Sequence, residues 1–105
     1  RETKRIHIGY IDMLLFEWDE EKDKTNEKKH GISFHEATSV FSDSYSLTIH
    51  DPLHSEDEDR FIIIGSSMKN RLVVVVHSER GNKIRIISAR KATRKERLQY
   101  ESHVK

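Results

Sequence analysis

The chain contains no cysteine, which excludes a disulfide framework, a thiolate zinc site and a cysteine nucleophile. Proline occurs once, as Pro52 in an acidic loop. No apolar run approaches the roughly 20 residues that a bilayer-spanning helix needs, so no membrane span is expected. The cationic start Arg1–Arg5 precedes the apolar stretch from Ile6 to Phe16, but His7, Asp12 and the lack of a small-residue cleavage site argue against a secretory signal. Neither internal repeats nor low-complexity segments are present. Net charge is also small, at a formal +1.

What the chain does have is charge unevenly placed. Within the 105 residues, 35% are charged and 34% hydrophobic, enough for one domain with a thin core. From Arg80 to Arg97 the cations Arg80, Lys83, Arg85, Arg90, Lys91, Arg94, Lys95 and Arg97 are answered by one acid, Glu96. Clustered cations displace the counterions condensed on phosphates, so the cluster points to a polyanion partner. The plainer reading is a solvated helix face balanced by acids elsewhere in the fold.

The pattern of elements predicts an α+β domain. Met13 is followed at once by a strand, which sets a single domain at residues 13–105 and leaves residues 1–12 as an N-terminal extension. Asp19 is a helix N-cap, Glu20 and Glu21 suit the first turn, Lys28, Lys29 and His30 suit the last, and Gly31 ends a helix over Glu20–His30. That helix is almost wholly polar and has little to bury. Ser33 and Glu36 form a capping box for a second helix, about Phe34–Phe41. Tyr45–Ile49 alternates as a strand with one buried face. Asp51–Asp59 is a loop, and Arg60–Ser67 with Arg71–Glu79 reads as a hairpin. Phe61–Ile64 and Val73–Val76 are continuous apolar runs, the mark of strands covered on both faces. A turn at Arg80-Gly81-Asn82 leads into a strand over Lys83–Ala89, and then a short terminal helix carries Ala92, Leu98 and Tyr100. Two N-terminal helices and a short C-terminal one on a mainly antiparallel sheet are therefore expected.

Several side chains could carry chemistry. His77 ends a strand beside the basic stretch, and its near-neutral titration suits proton transfer, although a strand-end histidine is more often structural. A two-residue turn would place it on the face of Ile84, Ile86, Ser88 and Arg90, and a three-residue turn on that of Arg85. Arg85 and Arg90 could each chelate a phosphate through paired hydrogen bonds and hold the charge of a pentacovalent phosphorus, or serve as ion-pair partners. Lys91, Arg94 and Lys95 suit steering of RNA. His50 and His54 with nearby acids could be read as a metal site, but both flank Pro52 in a loop without helical spacing, and no metal is expected. Tyr100 could stack on a base or donate a phenolic proton, or simply be the last apolar contact of its helix.

An ordered series of short motifs adds a resemblance: Phe16-Glu17-Trp18-Asp19, Lys29-His30-Gly31-Ile32-Ser33-Phe34, Val40-Phe41, Asp51-Pro52, His54-Ser55-Glu56-Asp57-Glu58, Arg60-Phe61, Ile64-Gly65, Val75-Val76-His77, Arg85-Ile86-Ile87-Ser88-Ala89-Arg90 and Glu96-Arg97. From Met13 onward the chain resembles the BrnT toxins, the ribonuclease halves of type II toxin–antitoxin pairs. The resemblance implies a RelE-like fold and cytoplasmic, metal-independent endoribonuclease activity that halts translation, with no cofactor. It also implies a BrnA-type antitoxin, a heterotetramer with it, and operator DNA reached only through that partner. The carried-over site residues are Arg60, His77, Arg85, Arg90 and Lys91, with Glu58 as an orienting carboxylate.

The expected mechanism has the ribose 2′-hydroxyl attack the adjacent phosphate while His77 transfers a proton, Arg85 and Arg90 hold the phosphorane, and Lys91 with Arg94 grips the backbone. Tyr100 is the reserve proton donor. The rival expectation is a noncatalytic nucleic-acid or protein-binding module using the same basic face.

Overall fold

A computed structural model describes residues 5–51 and 59–104. Six strands form one sheet in the order β1-β2-β6-β5-β4-β3. They are β1 (Ile6–Ile11), β2 (Leu14–Asp19), β3 (Leu47–His50), β4 (Arg60–Ser66), β5 (Leu72–Arg80) and β6 (Lys83–Lys91), joined by the helices α1 (Glu20–His30), α2 (Phe34–Ser39) and α3 (Arg94–Val104). A 3-10 turn at Val40–Ser42 continues α2. The three helices and the α+β class follow the expectation, but the sheet is mixed: β2 runs parallel to β6 where Leu15–Glu17 faces Lys83–Arg85. A strand also forms where the sequence suggested only an extension, since β1 pairs antiparallel with β2 along its whole length. The acidic loop with Pro52, His54 and Glu58 lies outside the described residues.

Local chemistry explains the helix ends. The Asp19 carboxylate accepts from the Glu21 and Lys22 amides, satisfying donors that the first turn of α1 leaves unpaired. Gly31 closes the helix at φ 75°, a left-handed conformation that costs glycine least. Ser33 caps α2 by accepting from the Glu36 amide, half of the expected capping box, while the Glu36 carboxylate accepts from Ser67 and Arg71 instead.

The polar α1 stays in place through a buried amide. Asn26 donates to the carbonyls of Ile32 and Ala89 and accepts from the Ala89 amide. The pairing with β2 covers β6 only from Lys83 to Arg85, so Asn26 serves Ala89 as a neighbouring strand would. Beside it, Asp23 accepts from the Phe34 amide and ties α1 to α2.

The two apolar runs of β4 and β5 are buried on both sides, as their composition required. On one face Phe16, Trp18, Ile63, Val73, Val75 and Ile86 pack against Ile32, Phe34, Ala37 and Val40. The 3-10 turn sits so close to β4 that a Cβ on Gly65 would lie 2.9 Å from Val40 Cγ1. On the other face a smaller cluster of Ile64, Leu72 and Val74 lies beneath Tyr100 and Ala92.

Candidate active site

Strand register decides which charged residues meet. The β5–β6 turn has two residues, Gly81 and Asn82, because Arg80 pairs with Lys83. His77 then faces Ile86, yet Val76 faces Ser88, so Ile87 is an extra residue in β6. This bulge reverses the alternation beyond it. Arg85 and Arg90 are five positions apart and would point to opposite faces of a regular strand; the bulge brings both to the same face. Neither simple turn geometry anticipates that result, since it depends on one inserted residue.

His77 goes to the opposite face, among the helices. Its ring lies 4.8 Å from that of Phe41 and 5.7 Å from that of Phe61. Only 3% of the residue is exposed, and its Nδ1 has no hydrogen-bond partner among the described residues. Burial pushes its pKa down to about 4, with a backbone hydrogen bond at Val75 acting the other way. The imidazole is thus neutral near pH 7 and separated by the sheet from the arginines.

On the arginines' face, one row crosses four strands: Glu17 on β2, Arg85 on β6, Ser78 on β5 and Arg60 on β4 are successive register partners. Arg85 Nη1 lies 3.3 Å from Glu17 Oε2, with only 19% and 9% of the two side chains exposed. Ser78 is fully buried, and neither its Oγ nor the buried Arg60 Nε has a hydrogen-bond partner among the described residues. Unpaired buried polar atoms are costly, and two of them on adjacent strands mark a place where a polar ligand or water would be stabilised. Sequence reasoning passed over Glu17 and Ser78. The available signal was an acid inside the apolar strand Leu14–Trp18, where a charge is tolerated only with a partner.

Arg90 lies farther along the same face. At about 3.4 Å per residue its register partner Val74 is roughly 14 Å from Ser78, so Arg85 and Arg90 are spaced for different phosphates more than for one. Arg90 holds Glu96 with two hydrogen bonds, both 2.8 Å. That contact, aided by Thr93, holds the Glu96 carboxyl down at about 2 and raises the Arg90 pKa. Glu96 also accepts from the Thr93 amide while its own amide donates to Thr93 Oγ1, a reciprocal capping box that starts α3. Lys91, Arg94 and Lys95 are exposed around this junction. Tyr100 donates to Asp43 Oδ2 at 2.6 Å, and burial together with this bond pushes its hydroxyl up to about 12. The structure therefore puts Arg60 and Arg85 in one row, sets Arg90 farther along that face with Arg94 and Lys95 just beyond it, turns Lys91, the partner of Val73, toward the helix-bearing face, and separates His77. Tyr100 belongs to the α3 contact, and Glu58 lies outside the described residues.

The chain matches the profile of the family described as "Ribonuclease toxin, BrnT, of type II toxin-antitoxin system" over residues 18–96. It belongs to the BrnT family. Among solved structures, it is similar to the Brucella abortus ribonuclease toxin BrnT, with 26% identity and a TM-score of 0.55 over 73% of this chain and 94% of that one. No curated protein matches it significantly. Family membership makes this a ribonuclease toxin of a type II toxin–antitoxin system, with RNA as substrate and an antitoxin as partner. None of the described helices is long and apolar enough to cross a membrane.

Proposed function

We propose that this BrnT-family protein is a metal-independent endoribonuclease that cuts RNA in the cytoplasm and stops translation. A BrnA-type antitoxin would neutralise it in a heterotetramer and supply the contact with operator DNA. The observation that carries the reading is the row Glu17–Arg85–Ser78–Arg60, in which two guanidinium groups flank a buried, unpaired hydroxyl.

Such a row suits phosphate chemistry. Guanidinium forks stay charged at any physiological pH and match the paired oxygens of a phosphate, and they stabilise most where charge increases on reaction. Arg60 and Arg85 take the scissile phosphate, while Ser78 Oγ adds a neutral donor between them. Arg90, Arg94 and Lys95 engage neighbouring phosphates along the strand, which gives binding a steep salt dependence, and Lys91, on the opposite face of β6, adds to the positive field at its end. In the reaction the 2′-oxygen attacks phosphorus, the bond to the 5′-oxygen breaks, and the products end in a 2′,3′-cyclic phosphate and a 5′-hydroxyl. His77 enters this proposal only as a packed residue of the helix-bearing face, and Tyr100 only as the clasp of α3.

Incubating the purified protein with end-labelled RNA in excess chelator tests the reading. Cleavage with those ends is expected. Activity that disappears in chelator and returns with magnesium would overturn the metal-free route. Salt-sensitive binding without any cut would leave a nucleic-acid-binding module instead.

A further inference from the structure

Cleavage by the 2′-hydroxyl needs a group that accepts its proton, and the histidine first suited to that task faces the other way. We infer that Glu17 is the proton acceptor, making it a catalytic residue of the row it shares with Arg85, Ser78 and Arg60. The inference rests on the ribonuclease reading and adds to it the identity of the base.

Geometry singles out Glu17 among the described acids. Asp19 caps α1, Asp43 accepts from Tyr100, Glu36 is paired with Arg71 at α2, and Glu96, paired with Arg90, lies farther along the face and outside the row. Glu17 alone among the described acids is the register partner of Arg85, with its carboxylate beside that guanidinium. It is 6% exposed, on the face of β2 opposite the core residues Phe16 and Trp18, where a charge is buried only with a partner. Around it, Ile8 is its partner on β1, Leu15 and the buried Asp19 lie two residues away on the same face of β2, and Lys83 lies two residues along β6 on that face, while Arg60 stands three strands off.

The chemistry balances without a further reactant. One Glu17 oxygen takes the proton from the ribose 2′-hydroxyl as the new 2′-oxygen–phosphorus bond forms. The phosphorus–5′-oxygen bond breaks, and the departing oxygen takes a proton from water. Arg85 touches both partners: it holds the carboxylate in place, and its remaining donors serve the phosphate. A positioned base of this kind contributes about 100-fold or more to the rate.

The test compares wild type, Glu17→Gln and Glu17→Asp by thermal melting and by steady-state cleavage of a short RNA in chelator. For Glu17→Gln we expect kcat to fall about 100-fold or more with KM within about threefold of wild type, because binding is left to the arginines. Glu17→Asp retains a carboxylate set back by one methylene and is expected to keep a measurable part of the lost rate. A Glu17→Gln protein that melts normally and cuts within tenfold of wild type, or faster because Arg85 is released, overturns the inference and leaves the ribonuclease reading standing. Should the glutamine variant fail to fold, a folded Glu17→Asp protein with wild-type kcat overturns it equally. A wild-type protein that cuts nothing overturns both readings together.

Discussion

His77 and Ser78 are neighbours on one strand and live in different chemical worlds. The face that receives His77 is packed by Phe41, Phe61 and the residues of α2, and it drives a titratable ring toward its neutral form. The face that receives Ser78 keeps full charges in pairs, Arg85 with Glu17 and Arg90 with Glu96, and leaves polar atoms unpaired between them. The contrast separates two uses of a buried polar group. On the helix side a neutral ring fills space, whereas on the arginine side ions are kept in pairs, as the proposed phosphate site requires.

If the arginine face does the chemistry, the most severe break comes at Arg85. Arg85→Lys keeps the positive charge but loses the planar fork that serves Glu17 and phosphate together. Its kcat in the RNA assay is expected to fall about 100-fold, the loss that follows removal of one well-aimed donor to a developing oxyanion. Circular dichroism should show an intact fold, because the ammonium still answers the Glu17 carboxylate. A variant that cuts at the wild-type rate would remove the row from the mechanism.

A smaller effect tests how the packed face supports the other. Asn26 bonds to Ala89 at the position just before Arg90 and two residues after the inserted Ile87. Asn26→Leu leaves the Ala89 amide and carbonyl and the Ile32 carbonyl without that partner. A loss of about 2 kcal/mol is expected in urea unfolding, given the usual cost of orphaned buried polar groups. An unchanged midpoint would show that water replaces the amide.

Much of this was legible in the chain. The caps at Asp19, Ser33 and Gly31 mark helix ends because their chemistry is local, and the valine run betrays a strand covered on both faces for the same reason. Family motifs spread from Phe16 to Arg97 identified the ribonuclease class. What could not be read depended on pairing between distant segments. Nothing in Ile86-Ile87-Ser88 announces the bulge that turns Arg90 to the face of Arg85. The value of Glu17 appears only when β2 lies parallel to β6, and that of Asn26 only when it replaces a missing strand. Likewise, the strand character of Ile6–Ile11 requires β2 as its neighbour. The candidate site was therefore visible as a set of residue types, whereas its division between two faces was a matter of register.

The mildest test bears on the packed face alone and turns on pH. With a pKa of about 4 in the folded protein against 6.5 for an unperturbed histidine, His77 binds its proton more readily in the unfolded chain. The sign follows: stability is fully retained above the unfolded value and lost as pH falls from about 6.5 toward 4. At pH 5.5 the loss relative to pH 7.5 amounts to about 1.3 kcal/mol, or roughly 6 °C in melting temperature for a domain of this size. His77→Leu removes the proton site while filling a similar volume, so the part of the melting-temperature drop between pH 7.5 and 5.5 that His77 causes should vanish in the variant. Cleavage at pH 7.5 should stay within about threefold of wild type, since a ring on the helix side touches no phosphate. The opposite outcome is equally informative: a well-folded leucine variant that no longer cuts RNA would carry the chemistry across the sheet and end the division between the two faces.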